Sequence, residues 1–435
     1  MIAFFHRIID LYVKAFSGLP RKVWLLALVL LVNRSGAMVV AFLSVYLINE
    51  QGYAPTKAGY VMAAFGAGGV VGNYVGGLLN DRFGSWHIML YSLIGAGILH
   101  ILLGEMTTFW GLCLLSFLIS VVADAFRPAS RAAVAFYAPK EFLTQAYGLQ
   151  RMAVNLGFSI GPALGGWLIY TYGFKLMFWG DGLTFLLAAA VFYLALPKDE
   201  TARPLVARPS KQARKAAATL DAHLAPAAAP TTIPAHRQAW LVAFVIANAA
   251  IIVCFFQLFS TFPVFLKEYG VDERAIGMLF TLSGILIVAT EMPLLYVAER
   301  RYQPVRVMMV GSALIIISYL ILPGALTIGY AALVAMVMVL TVGEILYMPF
   351  TNTYVTTHAP LARRGEYLGL LSASYSAAFV LGPLVGFGVA EHYGYAVATF
   401  VCCGIATLGW VVLTRVNRMR LNGKNAKLST RPQAF

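Results

Sequence analysis

Charge is what this sequence lacks most. Only 11% of its 435 residues are Asp, Glu, Lys or Arg, about half the share of an ordinary soluble domain. A chain with a solvated surface throughout is excluded. Cysteine is scarce as well: Cys113, Cys254, Cys402 and Cys403 stand inside apolar blocks without metal-ligand spacing. They read as small apolar packing residues. There is no G-x-x-x-x-G-K-[ST] phosphate loop, no H-E-x-x-H pair and no stretch able to house a soluble catalytic domain. Neither nucleotide-driven transport nor an enzyme is expected, and no cofactor or metal. The ~10-residue alternating segments of a membrane barrel are missing, and no cleavable signal peptide is evident. The seven histidines are dispersed, with His6 and His100 read as interfacial.

What is present is apolar bulk. Sixty per cent of the residues are hydrophobic, gathered in blocks long enough to cross about 30 Å of hydrocarbon as helices. Twelve spans are predicted, the first six at 23–48, 58–79, 87–103, 110–130, 143–170 and 174–196. The second six fall at 239–266, 276–297, 305–322, 330–350, 369–391 and 395–416. The fold class is thus an all-α membrane protein with twelve transmembrane helices in two six-helix pseudo-repeats. Residues 1–22 read as an interfacial amphipathic segment, 23–196 and 239–416 as the two six-helix halves, and 417–435 as a basic tail. Between the halves, 197–238 is rich in Ala and Pro and reads as a solvated cytoplasmic linker, with a short surface helix around 212–220.

The basic residues give an orientation. With both termini in the cytoplasm, that side collects about 26 of the 32 Lys and Arg. Lys57, Lys175, Lys267 and Arg274 fall on the opposite side, and Arg34 and Arg151 within the membrane. The net charge of +14 therefore points to topology signals and anionic lipid headgroups, not to nucleic acid.

The halves also repeat. A shift of 221 residues places Pro128 on Pro349, Gly148 on Gly369 and Gly161-Pro162 on Gly382-Pro383. It also places Gly165 on Gly386 and Tyr172-Gly173 on Tyr393-Gly394. Parallel six-helix repeats are a transporter architecture, with the substrate between the halves near the midplane.

Two motifs stand at fixed places in this repeat. Gly77-Leu78-Leu79-Asn80-Asp81-Arg82-Phe83-Gly84 closes the second span, and Gly157-Phe158-Ser159-Ile160-Gly161-Pro162-Ala163-Leu164-Gly165-Gly166 lies in the fifth. The first resembles the G-x-x-x-D-R-x-G signature of the major facilitator superfamily. The second resembles the G-x-x-x-G-P-x-x-G-G motif of its antiporter branches, drug–proton antiporters among them. The resemblance covers essentially the whole chain. It implies that Asp81, pairing with Arg82, Arg131 or a helix end, latches the cytoplasmic side in the outward-open state; a solvated loop pair is the plainer reading. Gly77 is expected where helices approach closely, and Gly84 at a tight turn. After Gly84 the family carries basic residues, whereas this chain has Ser85-Trp86-His87. Gly157, Gly161 and Gly165, with Pro162 interrupting the backbone ladder, form a bare face for close packing, expected against the other half. By resemblance that face seals the halves and favours exchange over leak.

Ionisable groups at membrane depth cost roughly 2.5–3.5 kcal/mol each and need a partner or a task. Glu344, in Gly343-Glu344-Ile345-Leu346-Tyr347-Met348-Pro349, resembles a tenth-helix element of drug–proton antiporters and proton-coupled oligopeptide transporters. It is the leading candidate for a proton carrier, with a permanently paired glutamate as the alternative. Asp124 reads as a second titrating group or as a partner of Arg127, and Arg151 as able to face Asp124. Glu291 is a third coupling candidate, near enough to the cytoplasmic end to snorkel. Asp181 reads as a helix-end or packing residue. Arg34 reads as binding an anionic substrate group or as a counter-charge to the proton. Asn33, Asn155, Gln257 and Tyr375, with Ser372 and Ser376, complete the expected cavity.

The expected function is a proton-coupled antiporter, monomeric in the inner membrane, exporting a small amphipathic compound by alternating access, with the proton as coupling ion. The alternative is a proton-coupled symporter importing a peptide-like or other small polar nutrient. Asn33-Arg34 and Tyr46-Leu47 resemble the first helix of oligopeptide transporters, although Leu30-Leu31-Val32-Asn33-Arg34 lacks both acids of their E-x-x-E-R run.

Overall fold

The computed structural model describes residues 18–196, 198, 235–360 and 363–429. Most of the expected interfacial segment, the linker with its helix around 212–220, and the end of the tail lie outside the described residues. Those residues fold entirely into helices and short connections. In chain order the helices are α1 Arg21–Ser35, α2 Met38–Val45, α3 Pro55–Phe83, α4 Ser85–Glu105, α5 Phe109–Tyr137 and α6 Leu143–Tyr172. They continue as α7 Phe174–Ala195, α8 Ala239–Phe255, α9 Thr261–Glu268, α10 Glu273–Arg301, α11 Pro304–Ile328, α12 Tyr330–His358 and α13 Arg364–Ser429.

Among the described residues, eleven segments are long and apolar enough to cross a membrane. The last, Arg364–Val416, has 53 residues, about 80 Å of helix, far more than one bilayer. It turns back at Gly394, whose φ of 81° only glycine adopts readily, and so makes the twelfth crossing. Gly173, its counterpart in the repeat, has φ 83° between α6 and α7.

Helix ends are set by local chemistry more than by hydropathy. The spans expected to stop at 79, 130 and 350 run on to Phe83, Tyr137 and His358. They stop only where Gly84 takes φ 82° or where Ala138-Pro139 and Ala359-Pro360 break the ladder. Pro55 and Pro304 open their helices, and Asp272 caps α10 by accepting the Ala275 N–H at 2.8 Å. Spans one and seven, expected to be continuous, are each broken midway: α1 gives way to α2 at Gly36-Ala37, and α8 to α9 through a short turn at Phe256–Phe259.

Packing depends on bare backbone. Gly68, Gly69, Gly72 and Gly76 carry α3 onto α5; a Cβ at Gly76 would stand 2.5 Å from Ala125 Cα. Gly77 faces open space, which corrects the expectation for it: one residue further on, the helix has turned its face from α5. Gly157, Gly161 and Gly165 do lie against close backbone, but not in the other half. Added Cβ atoms would meet Arg34 Cβ at 2.6 Å, Ala37 N at 3.0 Å and Met38 Cβ at 2.8 Å. That face holds the broken first span, because α6 packs along both α1 and α2.

The first six spans meet the second six along two seams, α6 on α10 and α3 on the first limb of α13. Pro162 abuts Gly277, Ser159 abuts Gly284, and Gly166 abuts Glu273. Gly59 and Gly66 admit Phe387 and Phe379, and the Thr56 N–H donates to Glu391 Oε2 at 2.8 Å. The lipid-facing surface is apolar, with Trp110 79%, Leu194 81% and Ile328 79% exposed.

Candidate functional site

We call basic the face that carries the 138–142 and 302–303 connections, and opposite the face that carries 51–54 and 269–272. Toward the opposite face the seams are closed, and α2 packs on α9 with Phe42 and Phe262 buried. Toward the basic face α5 and α12 share no packed interface. Between them lies a cavity of about 630 Å³ that reaches Arg131, Tyr147 and Gln150. A smaller lobe of about 300 Å³ runs deeper beside Asn33, Asp124 and Asp181. Both lobes share Arg34, Arg127, Phe158, Phe256, Phe259 and Tyr375.

Glu344 faces the larger lobe from α12. Among the described residues it forms no ion pair or hydrogen bond; its charged neighbours are Glu291 and Arg151. Arg34 sits where α1 ends. Its buried Nε has no hydrogen-bond partner among the described residues, and the side chain lies within electrostatic reach of Asp124, Asp181 and Arg127. Asp124 Oδ1 accepts from Arg127 Nε at 2.9 Å, and a Cβ at Gly69 would stand 2.6 Å from its other oxygen. Asn33 and Asn155 line the cavity, as does Tyr375, whose hydroxyl shares a hydrogen bond with Thr351 Oγ1 at 2.9 Å.

Several sequence expectations are corrected. Arg151 does not face Asp124. It reaches across the α6–α10 seam and pairs with Glu291, because the basic end of α6 is rotated toward α10. Glu291 therefore does not snorkel; it is 6% exposed and held by that pair. Gln257 does not line the cavity. Its Nε2 donates to Val253 O at 2.9 Å and Gly382 O at 3.0 Å, and its Oε1 accepts from Ser260 and Thr261. Its amide is consumed in holding the break of span seven. His100 is not interfacial but 3% exposed, stacked on Phe185 of α7 at 4.9 Å. Asp81, whose latch is expected only in the outward-open state, is exposed here and makes no ion pair among the described residues. Arg82 instead lies over the Phe83 ring at 5.3 Å, and Arg131 lines the cavity.

Sequence reasoning missed two features. One is the aromatic floor, in which Phe158 meets Phe259 at 5.7 Å and Phe256 meets Phe379 at 4.7 Å. A phenylalanine in an apolar helix carries no sign of which way it points. The other is a buried chain in which Tyr347 donates to Asn248 Oδ1 at 2.9 Å and Asn248 donates to Ser374 at 2.8 Å. It ties together α12, α8 and the first limb of α13; Asn248 within an apolar run was the available signal.

The Arg151–Glu291 pair makes a first prediction. Because Arg151 is half exposed, neutralising either partner should cost about 1–2 kcal/mol, below the value for a fully buried pair. Thermal unfolding of the purified protein should show that loss for Arg151→Gln and for Glu291→Gln. Combining Arg151→Glu with Glu291→Arg should recover most of it. A swap no more stable than its worse single variant would rule the pairing out.

Known proteins can now be set beside this geometry. The sequence profile of the Major Facilitator Superfamily matches residues 23–360 and again 258–433. The chain is 26% identical over 393 residues to the MFS-type transporter YqjV of Bacillus subtilis, covering 86% of this chain and 88% of that one. It is 24% identical over 390 residues to Multidrug resistance protein 1 of the same organism, covering 86% and 94%. A crystal structure of peptide transporter POT in complex with sulfate superposes with a TM-score of 0.73 at 17% identity, over 93% of this chain and 96% of that one. That likeness is one of fold. With the profile spanning nearly all of the chain around a central cavity, this protein belongs to the Major Facilitator Superfamily and is a multi-pass secondary transporter, not an enzyme.

Proposed function

We propose that the protein is a proton-coupled antiporter that exports a small amphipathic compound by alternating access. It does so as a monomer in the inner membrane, with the basic face and both termini in the cytoplasm. Glu344 carries this reading. A cavity-facing carboxylate without a partner among the described residues needs neutralising at membrane depth, and the cation within electrostatic reach, Arg151, is committed to Glu291. Either a proton or a substrate group can supply the neutralisation, so the two compete and each drives release of the other. The phenylalanine floor suits the apolar part of such a substrate. The likeness to Multidrug resistance protein 1 and the fifth-span motif support export and exchange.

In this reading the structure is the conformation open to the cytoplasm, with the Asp81 latch undone. Asp124 and Glu291 modulate the proton site through Arg127 and Arg151. Asn33, Asn155 and Tyr375 direct the substrate. The unpartnered Nε of Arg34 favours a second reading, a symporter that draws in a peptide-like or other polar nutrient by its anionic group.

Energised inside-out vesicles with a pH-sensitive dye separate the two. A lipophilic compound added at the cytoplasmic face should release protons from the vesicles. No release from any compound, with acid-driven uptake of a peptide by right-side-out vesicles, would replace antiport with symport.

A further inference from the structure

The proposed cycle leaves unused a buried acid–base pair in the smaller lobe. Asp181 of α7 is 1% exposed. Its oxygens accept the backbone N–H groups of Met38 at 3.3 Å and Val39 at 2.8 Å. These are the first amides of α2, just past the break at Gly36-Ala37, where no local side chain caps the helix. Asp181 thus caps a helix of another span and holds the angle of the break.

Facing it from α4, His100 has Nε2 3.8 Å from Asp181 Oδ2, too far for a hydrogen bond. Its Nδ1 lies 2.7 Å from Ala96 O; that acceptor requires the ring hydrogen on Nδ1 and leaves Nε2 a bare lone pair. Two acceptors therefore confront each other with no hydrogen between them. One added proton turns this repulsive pair into a donor–acceptor pair. Both residues line the smaller lobe with Arg34, which gives a proton a route in.

We infer that Asp181 and His100 form a second proton-binding site. Filling it loosens the cap on α2 and releases the α2–α9 closure on the opposite face. The charged groups around the pair are few. Arg34 of α1 is within electrostatic reach of Asp181 and is itself poised between Asp124 and Arg127 of α5. α2 carries no ionisable side chain. On α6, Tyr147 and Arg151 lie toward one end and Tyr170 and Tyr172 toward the other. Protonation would draw Asp181 toward His100, weaken its hold on two amides and deprive Arg34 of a counter-charge.

The test measures conformation without substrate or gradient, so it stands apart from the antiport reading. Spin labels at Asn49→Cys and Tyr269→Cys, with Cys113→Ala, report the opposite-face opening of the purified full chain from about pH 9 to about pH 5. The wild-type background should open on acidification with a single midpoint. Asp181→Asn should abolish the response or move its midpoint by roughly one pH unit or more, a tenfold change in proton concentration. His100→Gln, which leaves the cap in place, should move the midpoint in its own right and decides the matter if Asp181→Asn does not accumulate. An unchanged midpoint in both Asp181→Asn and His100→Gln, or a response lost only in Glu344→Gln, overturns the proposal.

Discussion

Vesicles carrying Glu344→Gln should show no substrate-induced proton release, a fall of roughly 100-fold in coupled flux, the upper range for a single coupling term. Insertion and folding should be unchanged. Glutamine matches glutamate in shape and adds no charge, and the native carboxylate has no ion pair or hydrogen bond to lose among the described residues. The side chain is therefore a poor candidate for a structural tie. Substrate-for-substrate exchange, which needs no proton, should continue, because the cavity keeps its aromatic floor and Arg34. That split separates a lost carrier from a damaged site. Normal proton release by the variant would remove Glu344 from the coupling step.

Gly277→Leu should turn the protein away from the conformation described above. A Cβ at Gly277 would fall against the carbonyl of Pro162, with the carbonyl carbon 3.0 Å and Ala163 Cα 3.2 Å away. These are backbone atoms inside a helix and cannot rotate aside, so α6 and α10 must part near the opposite face. Overpacking of this kind costs about 2 kcal/mol, roughly a 30-fold shift in population toward the outward-open state. A cysteine at Ser376, which lines the cavity, should then react faster with a membrane-impermeant maleimide added at the opposite face. Unaltered labelling would mean that this seam does not govern closure.

How much of this was legible beforehand depends on the range of the interaction. Span number, fold and repeat came from hydropathy and from glycine and proline landmarks, which act on their own segment. The unequal fates of Gly76 and Gly77 were not legible, because one residue turns a helix by about 100° and no local signal says which face meets a neighbour. Sequence order suggests Arg151 beside Asp124, since both lie in the first six spans. Its true partner is 140 residues away on α10. The cap that Asp181 places on α2 spans a similar distance. Gln257 reads in sequence as a polar group open to a ligand, whereas its amide is taken up by Val253, Gly382, Ser260 and Thr261. Arg34, Asn33, Asn155, Tyr375 and Glu344, which do line the cavity, are polar groups with no nearby partner in sequence.

The breaks at Gly36-Ala37 and at Phe256–Phe259 fall at matching positions under the 221-residue shift. The closed mouth is therefore framed by two short helical limbs, α2 with its π-helical continuation to Glu50 and α9, each jointed to its own span. A mouth built from paired short flaps can unseal by two local bends, before the large bodies behind them rotate. Such a molecule passes its cargo as an airlock does: one thin door is worked independently of the thick one, and a leak requires both to fail at once.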